Sequence, residues 1–123
     1  MGKEIRLDLT TTATDPDTFG TVAINGIVNA IAFNFSDDYK TELGLGSTDI
    51  TVVESGGANR ELVNVTAKDD SFTIIPSLES QKPDGTADGT RQLAGIFGRG
   101  LEIMVSGTEV VTDAIEVVIS VVN

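Results

Sequence analysis

The chain has 123 residues, 19 acidic against 8 basic side chains for a net charge of −11, and neither cysteine nor histidine. That length suits a single domain, residues 1–123, with enough chain to bury a core. The composition excludes disulfides, thiolate chemistry and imidazole as general base or metal ligand, and its scattered cations on an acidic background argue against a nucleic-acid groove.

Residues 4–10 open the strand pattern, with Ile5, Leu7 and Leu9 on one face and Glu4, Arg6 and Asp8 on the other. After a polar stretch around Asp15, Pro16 and Asp17, Phe19–Ile24 and Ile27–Phe35 flank Asn25 and Gly26. That dipeptide predicts a two-residue type I′ hairpin turn, because Asn and Gly tolerate the positive φ both central positions need. Residues 36–43 predict a short helix capped by Ser36 or Asp37 and stopped by Gly44 and Gly46. Residues 49–54 and 61–67 form a second expected hairpin, and a turn at Lys68, Asp69 and Asp70 precedes a strand at 71–75 that Pro76 closes.

The segment from Ser77 to Thr90 has little to bury and is expected as an exposed loop. Residues 92–97 and 101–105 are expected as separate strands, interrupted by Gly95, Gly98 and Gly100. The last strand, Ala114–Val122, alternates Ile115, Val117, Ile119 and Val121 against Glu116, Val118, Ser120 and Val122. Val118 and Val122 are apolar on the face that solvent would make polar. Either the strand is buried on both faces or its outer face meets another subunit. In all, about eight short strands and at most one short helix predict an all-β fold, an antiparallel β-sandwich of Ig-like or jelly-roll-like order.

The motifs do not point to catalysis. Asp15, Asp84 and Asp88 stand in Asp-Pro and Asp-Gly turn dipeptides, with Asp17 after Pro16, and none has calcium-loop spacing, while Asp37, Asp38, Asp69 and Asp70 read as solvated turn residues. No nucleophile elbow or phosphate loop occurs, and the glycines at 95, 98 and 100 read as a glycine-rich turn or bulge that lets backbones approach closely. The expectation is a non-enzymatic protein with no catalytic residues, no cofactor and no metal. No apolar run reaches membrane length and no signal peptide follows Met1, so the expected product is made in a cytoplasm, with no membrane and no nucleic-acid partner.

Small size, acidity, absence of Cys and His, Thr- and Gly-rich strands, the start Met1 to Leu9 and the apolar ending Ile115 to Asn123 resemble the accessory virion proteins of tailed bacteriophages, particularly capsid decoration (cement) proteins. The resemblance implies a virion structural protein that clamps neighbouring capsid subunits. Its partners are then the major capsid protein or other virion subunits, and it is itself a homo-oligomer, with a trimer favoured. The candidate protein contacts are Ile5 and Leu7 in the N-terminal strand, Lys82 and Arg91 in and beside the expected loop, and Val118 and Val122 in the last strand. The alternatives are a tail or baseplate component, and a small carbohydrate- or protein-binding β-sandwich module.

Overall fold

Alternating apolar residues organise nearly the whole chain into strands, as seen in a computed structural model that describes residues 2–11, 17–55, 60–106 and 109–122. The elements in order are β1 (Gly2–Leu9), β2 (Asp17–Phe35), α1 (Asp37–Leu43), β3 (Thr48–Ser55), β4 (Glu61–Lys68), β5 (Phe72–Ile74), β6 (Ser77–Gln81), β7 (Ala87–Ser106) and β8 (Ile115–Val122). Every pairing is antiparallel. The hydrogen-bonded path runs β1-β8-β2-β7-β3-β4, with β5 on β2 and β6 on β7. The fold is all-β and sandwich-like, with one short helix.

Two long strands do the bending. The first half of β2 pairs with β7 from Asp17↔Val105 to Val28↔Ala94, and its second half pairs with β8 from Ile27↔Val122 to Phe35↔Ile115. Register shifts at Ile24/Gly26 and Val28/Ala30 mark the changeover. Irregularities of this kind bend a strand and let it pass from one packed layer to the other. The inner faces then meet in one core. Val28, Ile31, Phe33, Ile115, Val117 and Ile119 come from one layer, and Ile24, Ile50, Val52, Ile96, Leu101, Ile103 and Val105 from the other, all at 2% exposure or less. Each such side chain contributes about 1.5–3 kcal/mol relative to leaving it in water.

The helix forms as its caps predict. The Ser36 hydroxyl accepts from Tyr39 N at 3.1 Å, and Gly44 takes φ 57° at the other end. The helix buries Tyr39 and Leu43. Tyr39 stacks edge-on against Phe35, and its hydroxyl hydrogen-bonds that of Thr48 at 2.6 Å, so both buried polar groups are satisfied. Desolvation raises the Tyr39 pKa, which keeps the phenol neutral. Phe72 of β5 lies against Phe33, with the Lys68 ammonium over its ring.

Three expectations are corrected. Asn25 and Gly26 do not turn the chain. They lie inside β2, where Ile27 pairs with both Val122 and Gly95, so neighbouring strands on both sides override a local turn preference. Residues 92–97 and 101–105 belong to one strand. Gly98, at φ 68°, absorbs an extra residue as a bulge instead of ending it. Residues 77–90 are not a loop but most of a hairpin, β6 with the start of β7, joined by a tight turn in which Lys82 N donates to Thr86 O and Gly85 N to Lys82 O. The predicted β3–β4 hairpin is present, its turn at 56–59 lying outside the described residues, as do Asp15 and Pro16.

Candidate interaction surface and cleft

The β6–β7 hairpin is rooted on the body through Leu78, whose half-buried side chain packs against the core, and it leaves the body beyond that point. Residues 87–93 are exposed without alternation, so both faces of the β7 arm meet solvent before Ala94 enters the core. Its order is built locally by a repeated Asp-Gly-Thr. Asp84 Oδ1 accepts from Thr86 N and Oγ1 at 3.0 and 2.7 Å, and Asp88 Oδ1 accepts from Thr90 N and Oγ1 at 2.9 and 2.8 Å. The glycines between them take φ 89° and 84°, which a side chain would disfavour. In both aspartates the backbone N–H bond, then the threonine hydroxyl, lowers the carboxyl pKa. Arg91 ties the two strands together, its Nε donating to Ser77 Oγ at 2.8 Å and its Nη2 to Ser77 O at 2.7 Å.

Where the ribbon joins the body, an apolar strip crosses three strands on the outer face. Val122 pairs with Ile27, Ile27 pairs with Gly95, and the Phe97 ring lies over Gly95, 3.1 Å from where a Cβ there would sit. Leu93, two residues before Gly95, continues the same face. Val122, Ile27, Phe97 and Leu93 are 40%, 39%, 63% and 44% exposed. Further along the same face the cross-strand rows carry charged and polar groups. Arg6 reaches Glu4 and Glu116, and Asn34 donates to Glu116.

The six contact candidates therefore separate. Lys82, at the hairpin tip, Arg91 on the ribbon and Val122 in the strip are exposed. Ile5 and Leu7 pack their half-buried side chains against the core from the edge strand β1. Val118 is 9% exposed, because its outer-face neighbours in register, Arg6 and Ala32, flank it on both sides. β8 is thus an interior strand by its pairing between β1 and β2, buried on its inner face and, on its outer face, buried at Val118, half-buried at Glu116 and Ser120 and exposed at Val122. Phe97 and Leu93 were missed by sequence reasoning, since an apolar residue beside a glycine reads as core unless the bulge that turns it outward is known.

A cleft of about 670 Å³ opens beside the bulge, lined by Lys3, Thr21, Ala23, Ile24, Asn25, Ser55, Gly98, Arg99 and Gly100. A Cβ on Gly100 would sit 2.9 Å from Val22 O and 3.0 Å from Ser55 Oγ, so β7 approaches its neighbours closely at the cleft floor. Behind it lies a nearly solvent-free carboxylate, Glu54, at 3% exposure on the core-facing side of β3. Arg60 grips it with two bonds, Nε to Oε1 at 3.1 Å and Nη2 to Oε2 at 2.7 Å, while Nη2 also donates to Gly95 O at 3.1 Å. These bonds outweigh burial and hold the Glu54 pKa below the usual carboxylate range.

Among the described residues no group of three or more Asp, Glu, His or Cys gathers where it could hold a metal ion, and no helix is long and apolar enough to cross a membrane. Comparison with protein-family models, with curated proteins and with solved structures found no match to this chain.

Proposed function

We propose that this is a non-enzymatic virion structural protein of the capsid-decoration kind, which clamps neighbouring shell subunits. The observation that carries the reading is the solvated β6–β7 ribbon rooted in an exposed apolar strip, on a body whose core is otherwise closed. A two-stranded ribbon that touches the core at Leu78 and leaves its β7 arm exposed is marginal by itself, so its sequence is best explained by a partner that covers it. Phe97, Leu93, Ile27 and Val122 offer the apolar centre of such a contact, and Lys82 and Arg91 its polar margin. The edge strand β1, paired among the described residues only with β8, adds an open row of backbone groups to which a neighbouring sheet can bind. The resemblance to decoration proteins supplies the identity of the partner, the major capsid protein, and repeated copies on a symmetric shell supply avidity.

The test mixes the purified protein with empty phage shells that lack it and sediments the mixture. Saturable binding at a fixed ratio to the capsid subunit is expected, and Phe97→Ser should weaken it without lowering the melting temperature. Absence of binding to heads would move the tail or baseplate component and the small binding module ahead.

A further inference from the structure

We propose that two copies of this chain pair their β1 strands antiparallel about a two-fold axis at Ile5, so that the sheet of one copy continues into the other. The inference names a second copy as the neighbouring sheet at β1, and it does not depend on what the ribbon docks to. Among the described residues, β1 and β4 end the hydrogen-bonded path, each paired on one side. The two edges differ. The β3–β4 ladder has two register shifts and β4 carries Ala67 at φ 57°, irregularities that blunt an edge against further pairing. β1 runs from Gly2↔Val122 to Leu9↔Ile115 without a shift and without proline. Its outward backbone groups form a regular row that matches another extended strand.

The side chains choose the partner, because β1 is complementary to itself in one register. With Ile5 on the axis, Glu4 of each copy faces Arg6 of the other, and Gly2 faces Asp8. On the inner row Ile5 meets Ile5, and the aliphatic stem of Lys3 lies along Leu7. Ile5 and Leu7 are only half-buried within one copy, so the second covers apolar surface that the first leaves in water. An axis at Glu4 or at Arg6 would set like charges against each other. One at Leu7 would bring Ile5 onto Leu9, which is 1% exposed and has no surface left to share. The outer row is already a ladder of this kind: Asn34 donates to Glu116, and Arg6 reaches Glu116 and Glu4 at 3.4 Å while staying 57% exposed. Glu4 of the second copy extends it. The charge of −11 on each chain opposes association only weakly at physiological salt, where charges more than about 8 Å apart are largely screened.

A two-fold edge contact closes at two copies. Sedimentation equilibrium of the full chain at physiological salt, from micromolar to millimolar, should therefore show monomer and dimer. Glu4→Arg and Arg6→Glu each set like charges across the axis, and each alone should weaken the dimer by more than about tenfold. Both side chains are 57% exposed, so the melting temperature should change little. An equimolar mixture of the two variants should dimerise as the parent does, because every arginine then faces a glutamate of the other copy. The proposal is overturned if the parent stays monomeric or forms a trimer, if either variant dimerises as tightly as the parent, or if the mixture remains monomeric.

Discussion

Gly98 and Gly100, two residues apart on β7, are constrained for different reasons. Gly98 needs its left-handed φ of 68° to make the bulge, yet a Cβ there would meet nothing within 4 Å. Gly100 has no φ demand but sits against Val22 O, a backbone atom that cannot swing aside. Gly100→Ala should therefore cost about 1–3 kcal/mol through displaced strands, read as a lower midpoint in thermal or urea unfolding. Ala67 is the converse case. It adopts φ 57° at a register shift between β3 and β4, with its N–H bonded to Asp49 Oδ1 at 3.0 Å. Replacing it with glycine should raise stability by about 0.5–1 kcal/mol, because alanine resists that conformation. Sequence reasoning leaves a turn or a bulge open at the β7 glycines, and the structure has the bulge at Gly98 and the close approach at Gly100, within one strand. It gave no sign of Ala67, since nothing in the residue type announces a positive φ.

The strands that pattern recognition finds most easily are those with one wet face. β1, the β3–β4 hairpin and the alternation of β8 are legible for that reason, as is α1 from its caps. β2 and β7 are not, because each contacts different neighbours along its length and changes face at a bulge. The Asn25-Gly26 pair looks like a turn only when the strands on either side of β2 are unknown. The β6–β7 ribbon reads as a loop in the sequence because nothing in it alternates. Its strands are held by cross-strand hydrogen bonds and Asp-Gly-Thr turns rather than by burial.

Removing residues 80–90 and joining Glu79 to Arg91, which already face each other, through Asn-Gly should leave the body's melting temperature nearly unchanged. The same change should abolish binding to shells in the sedimentation assay. Of the candidate contacts, the exposed ones lie in this ribbon and strip, and no periodicity in the sequence brings them together.

The Glu54–Arg60 pair links β3 to the segment entering β4 and, through Gly95 O, to β7. Arg60→Ala would leave a buried carboxylate with only Arg99 near it, at a cost of about 1–3 kcal/mol, moderated because the Arg60 side chain is 40% exposed and partly hydrated. The pH dependence has a definite sign. In the parent, the folded pKa of Glu54 is depressed, so the pair's contribution is present above the ordinary glutamate pKa and lost as pH falls through the lower, folded value. In the variant, burial raises that pKa, and the penalty is relieved as the carboxylate takes up a proton. The difference in unfolding free energy between parent and variant should shrink on acidification. A difference that stays constant or grows would contradict the burial of Glu54.

At the scale of the whole molecule, stability rests on one core shared by both layers. Val121, 1% exposed and paired with Lys3 on one side and Val28 on the other, lies on its inner face. Val121→Asp would bury a charge without a partner, so loss of cooperative unfolding is expected, with a far-UV spectrum and calorimetric trace of a disordered chain. A native melting profile for that variant would overturn the face assignment of β8.

β8 is the last strand along the described chain and occupies an interior position between β1 and β2. During synthesis, β1 and β2 emerge with a vacant slot between them, bordered by unpaired backbone on each side. No earlier segment fills it with Ile115, Val117, Ile119 and Val121. A ribosome-bound or prematurely terminated chain therefore carries two open strand edges beside uncovered core residues, the arrangement that recruits stray strands. The sheet can close only once residue 122 is free to pair with Gly2 and Ile27.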